Sequence, residues 1–479
     1  MLRQVLFLTG GLGLVAGLSV VLAADPSPLA SPRGQAVVRG LSGSCENSPD
    51  YLGTASCASS SCHHQTGHRR VVGSEFVTWN SEDPHRKAWE TLFSARSERM
   101  VRNLYGPAAA PASQTVWCLA CHATGEGNMG KAGVEFTLVD AVGCESCHGP
   151  AKNWLSAHTK AGFRELPAAE KEKEFGLWNT KDLASRARVC ATCHVGNADV
   201  PLMQVNHDLI AAGHPRLNFE FSSALAKYPA HWRVDGEQAR YPDLGWRAWQ
   251  VGQVAVAEAV ARLTGSRAAK AAHGGPWPEF AEQDCFSCHK DLSVDSNRAP
   301  FRTPLTAGKA PWQTWYAGTM AWADPETEAA LAPLRKHMSQ SAPDAVKAGA
   351  LAKVAVEFMA RRSLDLAQRE PVSIEGQGAL LARLAVETAR EAGKLAWEQQ
   401  AQRYLALAAL REDIRRRAGR FDAAFEKPYL ELRDALIGQF PPGHDSPRAD
   451  SDESRASRDR ETVLRKLESA LGGIAGSTR

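Results

Sequence analysis

Four times the chain repeats a cysteine, two residues, a second cysteine and a histidine: Cys118, Cys121 and His122; Cys144, Cys147 and His148; Cys190, Cys193 and His194; Cys285, Cys288 and His289. A shuffled chain of this composition would hold roughly 0.01 such motifs, so the repetition is not chance. The chemistry it fits is covalent attachment of haem c. Each cysteine sulfur adds to one of two vinyl groups on the same macrocycle, and a two-residue loop spans the distance between them. The histidine is carried under the ring by the same turn and becomes the proximal ligand of iron. The competing chemistry is zinc bound by eight thiolates in two tetrahedral sites, or plain disulfides. A histidine after every second cysteine, and a chain marked for export, weigh against both.

A fifth stretch, CASSSCHH, puts four residues between Cys57 and Cys62 before His63. A longer loop can bulge away from the ring while its end cysteines still reach both vinyls, so these residues form a fifth expected site. The eleven cysteines then divide into five pairs and Cys45. Cys45 is read as a leftover thiol, a lipid anchor there being weak. A Cys45 to Cys57 disulfide is the alternative for the first motif. A six-coordinate iron also needs a second axial ligand. Fifteen histidines less five proximal ones leave ten candidates: His64, His68, His85, His158, His207, His214, His231, His273, His337 and His444. With five irons to fill, roughly half should be ligands. His337 and His444 are expected at the surface, and His64 as a solvated neighbour of its motif.

These residues must be positioned by a chain of 479 residues, 44% apolar, with a formal charge of +3 from 56 basic and 53 acidic residues. That length allows two or three packed units, and no basic stripe suggests nucleic acid. Residues 1–24 read as an export signal: Arg3, an apolar run and a small-residue cleavage point, with an uncleaved anchor as the alternative. Residues 25–50 are a Pro-, Ser- and Gly-rich linker. Residues 51–303 hold ten of the eleven cysteines and thirteen of the fifteen histidines, with short helical patches, so something other than an apolar core should organise them. Residues 304–438 turn to Ala, Leu, Glu and Arg. Asp324 is placed as an N-cap with Pro325 at the first helical position. Trp397, Ala401, Tyr404, Leu405 and Ala408 share one helical face, read as ordinary packing. Residues 439–479 form a charged, Ser-rich tail. The expected fold is mainly α: a haem-organised multihaem cytochrome c domain with few strands, then a C-terminal helical bundle.

The order of motifs resembles the tetrahaem cytochrome c-554 family, electron carriers for hydroxylamine oxidoreductase. The likeness rests on the first motif, TWNSEDPHRKAWETL with His85, CLACH, VGCESCHGPAKNWLSAH with His158, and CATCH, over about residues 51–200. NHDLIAAGHPRLNFE and CFSCH look like a wider group of multihaem cytochromes; the fifth motif and the helical unit lie outside the tetrahaem pattern. The resemblance implies that His158 faces the haem on His63 and that His85 faces the haem on His148. It implies a five-coordinate centre on His122, and His207 or His214 as the ligand opposite His194. The other of those two would serve His289, with His231 in reserve.

The expected function is electron transfer between redox protein partners, in a periplasmic or other extracytoplasmic compartment, through five covalently attached haems that are mostly bis-histidine ligated. The alternative is an oxidoreductase that binds a small nitrogen or sulfur species at an open iron on His122, with Arg96, Arg99 or His68 near the ligand. A third reading makes the C-terminal helices a docking module.

Overall fold

The computed structural model describes residues 51–65, 70–127, 132–288, 310–391 and 397–419, with isolated positions at 395 and between 426 and 469. The expected signal, the linker with Cys45, most of the charged tail, and His68, His289 and His444 lie outside the described residues.

The motif-bearing region consists of short helices: α1 (Glu75–Glu82), α2 (Ala95–Tyr105), α3 (Val116–His122), α4 (Glu145–His148), α5 (Leu183–His194), α6 (His207–Ala212) and α7 (Phe221–Lys227). Their starts follow local chemistry. Ser94, Asp182 and Asn206 each accept a hydrogen bond from the amide three residues on, satisfying a donor that a helix end leaves free. Apolar packing around the first three motifs is sparse. Leu92, Val101, Ala112, Leu119 and Ala123 form one small cluster, and Ala151, Trp154 and Phe163 another. The described residues contain no strand, only isolated bridges such as Tyr51 with Ala132, so the few strands expected from the sequence do not form there.

The expectation that something other than an apolar core organises residues 51–303 does not hold in their second half. Helix α8 (Leu244–Ala271) is 28 residues long and buried along most of its length. Its Trp246 and Trp249 rings stack 4.9 Å apart. It is buried on nearly every side, polar residues such as Gln250, Gln253 and Glu258 included, so its sequence shows no amphipathic period, which is why the sequence reading missed it. Gly252 lets Phe221 approach, since a Cβ there would come within 2.6 Å of the Phe221 Cβ.

Beyond it lie α9 (Pro325–Met338), α10 (Ala345–Gln368), α11 (Ile374–Glu391) and α12 (Trp397–Ala418). Asp324 caps α9 as expected, accepting from the Thr327 amide at 3.0 Å. Helix α8 packs on α5, α7, α10 and α12, and one hydrophobic cluster runs from Leu183 to Tyr429. The buried Arg247 side chain donates to the carbonyls of Leu366, Ala367 and Arg369, closing the C-terminus of α10 onto α8. Two details differ from expectation. On α12 the deepest residues are Ala406, Leu407 and Leu410, while Tyr404, Leu405 and Ala408 are only partly buried. His337 is buried rather than at the surface, because its ring pairs with the Asp344 carbonyl at 2.9 Å.

Candidate haem centres

On a helix, positions i, i+3 and i+4 share one face, so a CxxCH motif in helical form turns both thiols and the imidazole the same way. Helices α3, α4 and α5 each end on the motif histidine: His122, His148 and His194. The first motif cannot do this with its longer spacing. A 3-10 turn carries Cys57, and the Cys62 and His64 amides both donate to the Ser59 carbonyl. Ser59, Ser60 and Ser61 thereby bulge into solvent.

None of the ten described cysteines is in a disulfide. The Cys57 and Cys144 thiols hydrogen-bond, which holds Cys57 below the usual thiol range and, with burial, pushes Cys144 well above it. Burial pushes Cys147 up to about 12, with the Cys190 and Cys193 thiols adding to the shift. The first, third and fourth motifs are therefore neighbours in space. Burial also raises Cys118 and Cys190 to about 11.

Among the described residues, three pairs of histidine rings lie close to one another. His63 and His158 have ring centres 6.4 Å apart, His85 and His194 5.9 Å, and His148 and His231 6.3 Å. A metal–imidazole bond is about 2.0 Å, so two imidazoles on opposite sides of one ion have centres roughly 6 Å apart. The residues therefore fit a six-coordinate iron at each pair. The ring planes differ: 20° between His63 and His158, 82° between His85 and His194, and 68° between His148 and His231. Burial lowers His148 and His194 to about 4, leaving the neutral imidazole that a metal binds.

In three of the six paired rings Nδ1 is held by a hydrogen bond, which fixes ring orientation and leaves Nε2 available to a metal. His63 Nδ1 meets Glu75 at 3.0 Å, and this bond raises the His63 pKa. His85 Nδ1 meets Asp83 Oδ1 at 2.8 Å. Burial alone would lower His85, yet Asp83 raises it overall. His158 Nδ1 donates to the Leu155 carbonyl at 2.5 Å. His231 Nδ1 is buried without a hydrogen-bond partner.

The second motif stands apart. His122 Nδ1 lies 2.8 Å from the Ala88 carbonyl and 3.2 Å from Thr91 Oγ1. Among the described residues no second histidine ring pairs with it. Trp89 Nε1 and the Tyr105 hydroxyl, beside Cys118 in this apolar cluster, are buried with no partner. Arg96 and Arg99 are exposed, and Arg96 donates to the Gly213 carbonyl at 3.0 Å.

Two expected pairings differ. His85 faces His194 rather than His148, and His231 takes the place opposite His148. The segment Phe221–Lys227 and the turn after it carry His231 into the motif cluster, where Tyr228 lies between His85 and His231 at 5.9 and 6.0 Å. His207 and His214 bracket α6: the His207 amide donates to Glu279, and His214 Nδ1 donates to the Pro215 carbonyl. His64 packs on Phe76, ring centres 4.8 Å apart, rather than standing free in solvent. His273 is exposed. Among the described residues no three or more His, Cys, Asp and Glu side chains gather as a separate metal-ion site.

Sequence reasoning missed Glu75, Asp83, Tyr228 and Glu145. Asp83 could have been found, since an Asp two residues before a histidine and followed by Pro is the signature of a turn that folds its carboxylate back. It accepts from the His85 amide at 3.0 Å and from the Tyr228 hydroxyl at 2.5 Å.

Residues 56–149 match the family described as cytochrome c554 and c-prime. Cytochrome c-554 of Nitrosomonas europaea is 28% identical over 151 residues, which cover 30% of this chain and 57% of that protein. The chain thus spans little more than half the length of that relative. The match implies haem c in this part of the chain. No solved structure matches the chain significantly.

Proposed function

We propose that the chain is an exported multihaem c-type cytochrome that passes single electrons between redox protein partners. It holds five haems on Cys57/Cys62, Cys118/Cys121, Cys144/Cys147, Cys190/Cys193 and Cys285/Cys288, with His63, His122, His148, His194 and His289 as proximal ligands. The observation that carries this reading is the set of three imidazole pairs at 5.9–6.4 Å, each containing one motif histidine. Bound haem supplies the one-electron couple of its iron. The chain does the rest. His158, His85 and His231 complete the axial sets on His63, His194 and His148, so both oxidation states keep the same ligands. Glu75, Asp83 and the Leu155 carbonyl orient the rings. The Cys57 and Cys144 sulfurs lie side by side, and Cys147 lies near Cys190 and Cys193, which brings those three centres within short range of one another. The likeness to a cytochrome c-554 over part of the chain supports the same reading.

The test is intact mass of the mature protein with a pyridine haemochrome spectrum. Five covalent haems are the expected result; four would return the first motif to the Cys45–Cys57 disulfide, and none would reject the function. A second reading has its own support. His122 faces no second imidazole among the described residues, while Trp89 Nε1 and the Tyr105 hydroxyl lie unpartnered in the same cluster. We take the His122 centre as an open iron, able to bind a small nitrogen or sulfur species. The reduced protein should then bind carbon monoxide at one haem per chain, and the ferric protein should show a high-spin signal. A wholly low-spin protein indifferent to carbon monoxide rules the enzyme reading out.

Asp83 offers a finer check. Its carboxylate makes the His85 imidazole a more basic ligand. Asp83→Asn should raise the potential of the His194 haem by an amount on the order of 59 mV, the one-electron equivalent of a tenfold change. Redox titration followed in the visible spectrum reads this directly, and unchanged potentials would show that Asp83 only packs.

A further inference from the structure

The three residues that precede the fifth motif are tied to the chain beyond it. The Glu282 carboxylate accepts from Trp312 Nε1 at 2.8 Å, the Gln283 side chain donates to the Met338 carbonyl at 3.0 Å, and the Asp284 amide donates to the Pro311 carbonyl at 2.8 Å. Cys285, the first cysteine of the motif, is where this scaffold meets a buried charge. Arg216 Nη1 lies 3.6 Å from Cys285 Sγ and 2.6 Å from Glu398 Oε1, in the first turn of α12. Thr314 Oγ1 donates to the other carboxylate oxygen. The side chains of Arg216 and Glu398 are only 13% and 16% exposed. Arg216 Nη2 is buried with no hydrogen-bond partner.

We propose that Glu398, on a helix outside the haem-motif region, is a positioning and charge-balancing residue for the fifth haem: it holds Arg216 against the Cys285 attachment point and offsets its charge there. This rests on reading Cys285 and Cys288 as haem attachments. Once Cys285 carries a thioether, a guanidinium that close to its sulfur sits against the edge of the macrocycle. An uncompensated positive charge there favours the reduced iron, which carries one positive charge fewer. The paired carboxylate cancels that preference, and burial keeps solvent from doing so. The C-terminal helical unit thereby acts on the potential of one haem and not only on the stability of the chain.

The experiment uses the full-length, haem-loaded protein. Cys285→Ser with Cys288→Ser should remove one haem by mass and one couple from the redox titration; if no haem is lost, the attachment reading fails, and the role of Glu398 with it. Glu398→Gln keeps the shape and removes the charge. With all haems still present, it should move that same couple to higher potential by a tenfold change in its one-electron equilibrium, about 59 mV, and leave the others in place. Arg362→Gln loosens the helical unit elsewhere by removing the ion pairs to Asp324 and Glu326, 2.7 and 2.8 Å long. It should move no couple. An unmoved fifth couple in Glu398→Gln, or the same shift in both variants, overturns the proposal.

Discussion

His231→Leu is expected to create one new high-spin haem that binds carbon monoxide when reduced, at full covalent haem content. His231 has its ring centre 6.3 Å from that of His148, on the far side of the space an iron would fill. Burial lowers its pKa, which favours the neutral imidazole that a metal binds. Leucine fills a similar volume and cannot coordinate. His85→Leu should likewise open one centre, that of His194, and the double variant two. The pairing implied by the tetrahaem resemblance gives a different count. If His85 faced His148 and His231 were held in reserve, His231→Leu would open none and the double variant only one. A carbon monoxide titration of the three variants therefore distinguishes the arrangements by number alone. If His231→Leu leaves the protein as it was, the 6.3 Å pair is not an axial set.

Much of the site was legible because its chemistry is local. A CxxCH motif names its own attachment cysteines and proximal histidine, and α3, α4 and α5 terminate on those histidines without help from elsewhere. The position of His158 also followed from a likeness over a short, motif-rich segment, and its ring meets that of His63. Distal pairing is different in kind. His85 and His194 are 109 positions apart in the numbering and His148 and His231 are 83 apart, and nothing in the spacing says which imidazoles face each other. That information is held in long-range contacts such as the Tyr228 hydroxyl on Asp83. The fold shows the same division. Asp324 as an N-cap was readable because capping depends on three residues. Helix α8 was not, because polar and apolar residues alike are buried around it and its sequence signals no face. The Arg216–Glu398 pair spans 182 positions and joins two segments that read as unrelated.

Glu145→Ala should be the most destabilising single change near the haem motifs. Glu145 sits between the two cysteines of the third motif, 2% exposed. One carboxylate oxygen accepts from the Leu52 amide at 2.9 Å and the Ala151 amide at 2.7 Å, and the other from the Gly53 amide at 2.9 Å. It thus holds the strand of chain leading into Cys57 against the third motif. Gly53 must be glycine for this approach: its φ is +93°, and a Cβ would come within 2.2 Å of the Glu135 carbonyl oxygen. Alanine at 145 would leave three amides unpaired, two of them buried and the Leu52 amide partly so. At about 1–3 kcal/mol for each unsatisfied group, the loss should be at least ~3 kcal/mol. For a chain of this size that is a fall in melting temperature of roughly 3 °C. Covalent attachment should also fail at the first motif more often than at the third, because the third motif keeps its own helix while the first loses its anchor. Thermal unfolding with intact mass of the exported protein reads both effects. Glu145→Gln, which keeps one accepting oxygen, should fall between wild type and alanine; equal stability of all three would show that the carboxylate does not hold the first motif.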